Sequence, residues 1–226
     1  MKKYLSLVVF ALITCSALAQ REIVKEIESF TEIKAFDRIN TVLINSNENK
    51  IVITGDDRDD VKISNKGGLL KIRMEFENQM NGGDVTVKVY HTETLTLIDS
   101  NENADITSED TISGSEVKIA AQEGGKITLE IDIDNLYVKS TSGAEITLSG
   151  KAKKQEAVAT AGGKVLNDQL NTTETKVTVN AGGSAKVHAS NKMDAKVRAG
   201  GSIYVYGNPK DLKRDKVFGG KIEVMD

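Results

Sequence analysis

Two histidines are the side chains of this sequence best suited to acid–base chemistry, because imidazole titrates near neutral pH. His188 falls at an outward position just after Val187, with no acidic or histidine partner nearby in the sequence. His91 stands at the end of another alternating run. A general base needs a partner that orients it. We therefore interpret both as solvated strand histidines and not as catalytic groups.

The segment GDDRDD, residues Gly55–Asp60, could offer Ca²⁺ the oxygen ligands of its four carboxylates. Its spacing matches no known calcium loop, and no GGxGxD series accompanies it. We interpret it as an acidic turn that keeps a strand end soluble. The sequence also lacks the GxSxG nucleophile elbow. We predict no catalytic residues, no cofactor-binding residues, no metal ligands and no cofactor.

Sites that act on polysaccharides need carboxylates or basic residues clustered on one outer face, often beside aromatic platforms. The outward positions of this sequence mix Lys, Glu, Thr, Ser and Tyr without concentration, and Tyr204 and Tyr206 come nearest to a platform. The basic run Lys210–Lys216 and the lysines of residues 151–154 could attract acidic glycans or lipid headgroups. Acids balance the run, so we interpret it as a solvated loop.

Composition favours stacked β-structure and argues against a general nucleic-acid binder. The 226 residues include 4% aromatics and no Trp, so Val, Ile, Leu and Ala must fill the core. Such side chains pack well in rows on strands. The formal net charge of −3 lacks the basic footprint of nucleic-acid binding.

The first 19 residues have the pattern of a signal peptide. Lys2 and Lys3 precede a short apolar run, Tyr4 to Ile13, and Ala17-Leu18-Ala19 fits a cleavage site. We predict that residues 1–19 are removed and that the mature chain is exported to the periplasm or the cell surface. The apolar run is too short for a stable anchor, so we expect no membrane-spanning segment after its removal.

Lipid anchoring through Cys15 is the less favoured alternative. The residues LITC resemble a lipobox, but Thr14 stands where such motifs usually have Gly, Ala or Ser. Because Cys15 is the only cysteine, the mature chain would contain no disulfide and no thiol nucleophile.

Pairs of small residues recur at nearly constant spacing along the second half of the chain. Their first members are Gly124, Gly143, Gly162, Gly182, Gly200 and Gly219, with a weaker early copy at Asn103. The spacings between successive glycines are 19, 19, 20, 18 and 19 residues by subtraction. Aliphatic residues follow three and mostly five positions later, which is the period-two alternation of a strand. A second alternating run precedes each pair.

Strand, corner and strand repeated at about 19 residues indicate the rungs of a β-solenoid. Glycine suits the corners because it adopts positive φ without strain. The inward pattern fails at Arg214 and Lys216, so we expect an irregular last coil. We predict solenoid repeats over residues 96–226 and a less regular β-rich part over residues 20–95. The latter could consist of antiparallel strands or of early solenoid turns.

The order of these segments resembles the head GIN domain family. The similar stretches are FDRINTVLINSNENKIVITGDDRDDVKI, GGLLKIRM and DVTVKVYHTETLTLI, followed by the Gly-Gly strand repeats. The resemblance runs from Phe36 to the C-terminus. Members are described as autotransporter adhesins of Bacteroidetes-type bacteria. The resemblance implies an exported, right-handed parallel β-helix without an established biochemical activity, and it offers no catalytic residues to transfer.

Two functions follow from these expectations. The preferred one is a non-enzymatic, adhesin-like or envelope-associated binding or scaffold module whose partner is an unknown glycan or envelope protein. We expect a monomer or a small homo-oligomer, because Lys221 and Glu223 guard the last strand edge. The alternative is a carbohydrate-active β-helix enzyme acting on polysaccharide. A groove lined by three or more acidic or basic side chains would favour the enzyme.

Overall fold

The computed structural model describes residues 22–225. The predicted signal peptide, its cleavage before Gln20 and the possible lipidation of Cys15 lie outside the described residues. Between residues 22 and 225 the regular structure is β apart from three short 3-10 segments. No helix in that range is long and apolar enough to cross a membrane.

Nineteen strands form one continuous sheet. They are β1 (Ile23–Glu26), β2 (Glu32–Ala35), β3 (Asn40–Asn45), β4 (Lys50–Thr54), β5 (Val61–Lys66), β6 (Leu69–Met74), β7 (Thr86–His91), β8 (Leu97–Ser100), β9 (Asp105–Ser108), β10 (Ile112–Ala121), β11 (Lys126–Thr141), β12 (Glu145–Thr160), β13 (Lys164–Asn167), β14 (Leu170–Asn180), β15 (Ser184–His188), β16 (Lys192–Arg198), β17 (Ser202–Tyr206), β18 (Asp211–Val217) and β19 (Lys221–Val224).

From β8 onward the chain winds as the predicted β-solenoid, and each rung pairs in parallel with the next. The strand segments before the glycine corners stack in register, as in the column Ile119, Val138, Ala157, Val177. We call this stack the pre-corner face. The segments after the corners stack likewise, from β9 through β11, β12, β13, β15 and β17 to β19, and form the post-corner face.

The core consists of the inward columns that the alternation predicted. On the post-corner face Ile127, Ile146, Val165, Ala185 and Ile203 are all buried. The pre-corner face contributes smaller side chains to the same core, including Ala121, Ser140, Ala157 and Ala159. Burial of these columns along the whole stack stabilises rungs that could not fold alone.

Positive φ at the corners is confirmed. Gly124, Gly143, Gly162, Gly182 and Gly200 have φ between 74° and 78°. The residue before each of them is also left-handed, for example Ala181 at φ 46°. A two-residue left-handed turn bends the chain tightly from one face to the other, and at Ala181-Gly182 it is closed by the Gly183 N–H donating to the carbonyl of Asn180 at 3.1 Å. Glu102 and Asn103 form the predicted early corner, and Asp37 and Arg38 form a still earlier one that the sequence analysis missed.

The N-terminal part contains both kinds of structure that the sequence left open. β2 pairs in parallel with β6 on one side and β8 on the other, and β3 pairs likewise with β7 and β9. The solenoid turn formed by β2 and β3 therefore lies between the turn of β6 and β7 and the turn of β8 and β9. Both of those turns come later in the chain. β4 and β5 run antiparallel to β7 and β6, and β1 runs antiparallel to β4. The three antiparallel strands close this end of the solenoid.

The sheet is continuous across residue 95, because β2 and β3 pair directly with β8 and β9. The division of the chain at that residue stays a prediction. At the other end, Arg214 and Lys216 stack in the inward columns on Ala195 and Val197 but remain exposed. The last coil is thus irregular where the alternation fails.

Candidate functional site

A groove of about 480 Å³ lies on the outside of the pre-corner face. It is lined by Glu116, Asn135, Leu136, Tyr137, Lys154, Gln155, Glu156, Glu174, Thr175, Lys176, Lys192 and Asp194. We call it the ladder groove. The lining residues come from β10, β11, β12, β14 and β16, five successive layers of the stack.

Strict register between rungs builds the groove from two outward columns. The first, the 116 ladder, contains Glu116, Asn135, Lys154, Glu174, Lys192 and Asp211 in stacked order. The second, the 118 ladder, contains Lys118, Tyr137, Glu156, Lys176, Asp194 and Lys213. The two residues of a rung are two positions apart, so both side chains point to the same side of the strand.

Charges alternate in both directions across these ladders. Lys154 and Glu156 share one rung, and on the next rung the signs are reversed in Glu174 and Lys176. The Lys176 ammonium donates to the Glu156 carboxylate at 2.9 Å, and this hydrogen bond raises the pKa of Lys176. Because each charge has opposite charges beside it, the groove offers many polar groups and little net charge.

One rung of the groove is uncharged. Asn135 occupies the 116 ladder and Tyr137 the 118 ladder, between charged rungs on either side. The Tyr137 ring is half-buried, and the Lys118 Nζ lies 5.8 Å from its centroid. Asn135 is exposed, and its amide nitrogen donates to the carbonyl of Ser115 at 3.3 Å. The exposed side chain can present its amide oxygen to a ligand as an acceptor.

A second cavity, of about 290 Å³, continues the groove toward the C-terminal end. It shares Lys176 and Asp194 with the ladder groove and adds Lys196 and Asp215. The Lys196 ammonium lies 2.7 Å from the Asp215 carboxylate and lowers the pKa of Asp215. Lys196 and Asp215 of this cavity therefore pair with each other, while Arg198 and Lys213 add positive charge to its lining.

The structure separates the two histidines, and neither forms an ion pair with an acidic side chain of residues 22–225. His188 is half-buried rather than fully solvated, and burial lowers its pKa. Its Nδ1 is buried without a hydrogen-bond partner. His91 is 6% exposed, and its Nδ1 lies 2.9 Å from the carbonyl oxygen of Glu93. A buried histidine held by a backbone carbonyl is part of the fold.

The acidic turn is held by contacts within the protein. Arg58 donates to the carbonyl of Gly55 at 2.8 Å, and Asp60 accepts from the Asn78 amide at 2.8 Å. Among residues 22–225 no group of three or more His, Cys, Asp or Glu side chains is arranged to hold a metal ion.

Of the other positively charged and aromatic candidates, Lys154 lines the ladder groove, and the rest lie outside its lining. Lys151 and Lys153 pair with Asp132 and Asp134 on the neighbouring rung, at 3.1 and 2.7 Å. The run Lys210–Lys216 is mostly strand β18 rather than the loop that we expected. Tyr204 and Tyr206 lie on the post-corner face, away from the ladder groove.

A family model described as "Putative auto-transporter adhesin, head GIN domain" matches residues 29–209. The chain belongs to the head GIN domain family. No curated protein matches it. Adhesins act at cell surfaces, so membership of the family suggests an exported or surface protein.

Three crystal structures illustrate the fold of this head GIN domain. A "putative adhesin" from Bacteroides fragilis is 19% identical with a TM-score of 0.82, covering 92% of this chain and 98% of that one. A "putative adhesin" from Parabacteroides merdae is 19% identical with a TM-score of 0.68, covering 91% and 96%. A "putative lipid binding protein" from Parabacteroides distasonis is 17% identical with a TM-score of 0.70, covering 92% and 98%. At these identities the likeness shows the fold.

Of the ladder-groove residues in this head GIN domain, the sequence analysis singled out only Lys154, among the lysines of residues 151–154. Glu116, Asn135, Lys154, Glu174 and Lys192 are separated by 19, 19, 20 and 18 residues. These are the spacings of the glycine corners themselves. Aligning the sequence on its corners would have placed these residues in one column and revealed the alternation of charge.

Proposed function

We propose that this head GIN domain is an exported, non-enzymatic binding module and that the ladder groove is its contact surface. The observation that carries the proposal is the groove itself, a cavity of about 480 Å³ lined by ordered strand side chains. A surface presented by rigid strands is already organised for binding and loses little conformational entropy when a ligand is bound. The family description and the names of its solved relatives support an adhesin-like role.

A carbohydrate-active enzyme is the second candidate, because the groove is lined by more than three charged side chains. A glycosidase needs a carboxyl that is kept protonated by apolar surroundings or by a second carboxylate. In the ladder groove each carboxylate has a lysine next to it in its ladder or on its own rung. This pairing favours binding over acid catalysis.

Within residues 22–225 the carboxyls with a raised pKa, those of Asp105 and Glu102, lie outside the ladder groove. A hydrogen bond to Asp37 raises the pKa of Glu102 to about 7. Both residues belong to corners, and Asp37 is buried where it accepts from the backbone N–H of Met74 at 2.9 Å. Neither lines the ladder groove.

The test combines a binding screen with a reversible block of the groove. The processed protein is applied to arrays of glycans and envelope proteins, and bound glycans are analysed for cleavage. Because Cys15 is the only cysteine, removal of the signal would allow a single new thiol to be labelled. Lys154→Cys places a bulky disulfide-linked label in the groove, whereas Lys186→Cys places it on the post-corner face.

We expect the label on K154C to abolish binding, reduction to restore it, and the label on K186C to leave it intact. Equal binding by both labelled variants would contradict the groove as the contact surface. Cleavage of a bound glycan that disappears with the K154C label would establish the second candidate.

A further inference from the structure

Resting on the proposed function, we propose that the uncharged Asn135–Tyr137 rung is a sugar subsite and that the ladder groove binds an uncharged oligosaccharide along the solenoid axis. The rung is the only one of the two ladders, within the described residues, that has no charge at either position. It interrupts an alternation that otherwise continues from β10 to β18.

Tyr137 and Asn135 supply the two kinds of contact that a sugar ring needs. The C–H groups on one face of a pyranose are apolar and stack on an aromatic ring, whereas its hydroxyls form hydrogen bonds. Tyr137 offers the ring, and the exposed amide of Asn135 offers an acceptor oxygen on the same side of the strand. Lys154 and Glu156 on the next rung place a donor and an acceptor beside that ring.

Charge balance in the groove selects against charged polymers. The lining includes four carboxylates, of Glu116, Glu156, Glu174 and Asp194, and three lysines, Lys154, Lys176 and Lys192. A polyanion laid along the groove would meet a carboxylate on each charged rung, and a polycation would meet a lysine on each rung from Lys154 to Lys192. On these rungs the like-charge contacts offset the contacts with opposite charges, so a charged polymer gains no net attraction from the groove, whereas an uncharged glycan needs none.

The lining also favours a glycan over a protein. Protein interfaces are centred on large apolar or aromatic anchors and are depleted of Lys and Glu. In the ladder groove Tyr137 is the only aromatic residue, and Leu136 is buried beneath the surface. The cavity extends over five layers, roughly 19 Å at the usual strand spacing of about 4.8 Å. That length suits an extended oligosaccharide rather than a single sugar.

Tyr204 provides a matched control for Tyr137. Both are half-buried, outward tyrosines with a lysine ammonium near the ring, at 5.8 Å for Tyr137 and 5.5 Å for Tyr204. They lie on different faces, and only Tyr137 lines the ladder groove. The probes are uncharged gluco-, manno- and galacto-oligosaccharides, compared with polygalacturonate and a sulfated glycosaminoglycan.

We expect binding to uncharged oligosaccharides that changes little between low and high salt. Tyr137→Ala should weaken it by about tenfold, whereas Tyr137→Phe and Tyr204→Ala should retain it. Thermal melting of all variants verifies that they are folded. Equal affinities of Y137A and Y204A for an uncharged glycan would overturn the subsite.

Selective, salt-sensitive binding of the acidic glycans, or binding of proteins alone, would overturn the ligand class. In either case the label on K154C distinguishes the two proposals. If that label still blocks binding, the groove remains the contact surface and only the sugar assignment fails. If it does not, the proposed function fails as well.

Discussion

The two glycines of a corner are required for different physical reasons. Gly200 has φ 78°, and a Cβ built on it would meet nothing within 4 Å. Gly201 has φ 109°, and its Cβ would lie 2.5 Å from Val179 Cγ1 and 2.6 Å from the carbonyl oxygen of Gly183. The first position therefore needs only a left-handed backbone, whereas the second also needs empty space against the rung before it.

Gly200→Ala should lower the free energy of unfolding by about 1 kcal/mol, the usual penalty for an L-residue in the left-handed region. Gly201→Ala should cost about 3 kcal/mol or more, because strain and overpacking act together. Urea denaturation of the two variants measures the difference. Equal costs would mean that the neighbouring rung moves away without resistance.

A carboxyl pair of buried Asp37 and half-buried Glu102 makes stability depend on pH. The hydrogen bond to Asp37, then burial, then repulsion from Asp37 and Glu123 raise the pKa of Glu102 to about 7, and only Arg73 opposes them. The folded protein favours the protonated form of Glu102. The stabilisation that results is therefore complete below pH 4.5, the ordinary pKa of this carboxyl. It is lost as the pH rises through about 7.

Between pH 5 and pH 8 we expect the free energy of unfolding of the wild type to fall by about 1 kcal/mol relative to that of Glu102→Gln. This value allows for the screening of a half-exposed group by solvent. Denaturation at a series of pH values measures this difference. Glu130→Gln, exposed on β11, should follow the wild type. If E102Q also follows the wild type, the Asp37–Glu102 pair does not share a proton.

At the scale of strands and rungs, the alternating ladders should specify register. Lys176 lies between Glu156 and Asp194 in its column and beside Glu174 on its rung. Lys176→Glu therefore places a carboxylate among three others. We expect a lower melting temperature at low salt and a smaller difference at high salt, because exposed charges are screened.

Lys186→Glu is the matched control for this reversal. Its column neighbours are Leu166 and Tyr204, so the reversal creates no stacked acids. We expect its melting temperature to stay near that of the wild type. A similar loss in both variants would mean that the ladders do not contribute through charge.

The regular rungs could be predicted from the sequence because each repeats one pattern in chain order. Ile127, Ile146 and Val165 follow their corners at a fixed distance and are all buried.

The insertion of β6 and β7 below β2 and β3 could not be predicted. The stacked corners at Asp37 and Glu102 are 65 residues apart in the chain, so no short period connects them. The outward groove was also hidden, because alternation identifies a face but not the order of charges along it.

For the molecule as a whole, the two ends of the solenoid are protected differently. Antiparallel strands cover the N-terminal end, whereas no further strand of residues 22–225 pairs with the outer edges of β18 and β19 at the other end. Phe218 is 89% exposed beside that edge. Arg214 and Lys216 occupy the inward columns there, on top of Ala195 and Val197. Buried aliphatic columns thus end in two cations, and charged side chains at an open edge oppose pairing with another chain.

Replacing both cations, Arg214→Val with Lys216→Val, would extend the apolar columns to an open edge. We expect this variant to self-associate more strongly than the wild type as the protein concentration rises. Sedimentation velocity over a concentration series measures the effect. The control, Lys210→Val with Lys213→Val, removes the same charge near the same strand, but Lys213 belongs to the outward ladder. Association of both variants would assign the protection to net charge, whereas association of the first alone assigns it to the two inward positions.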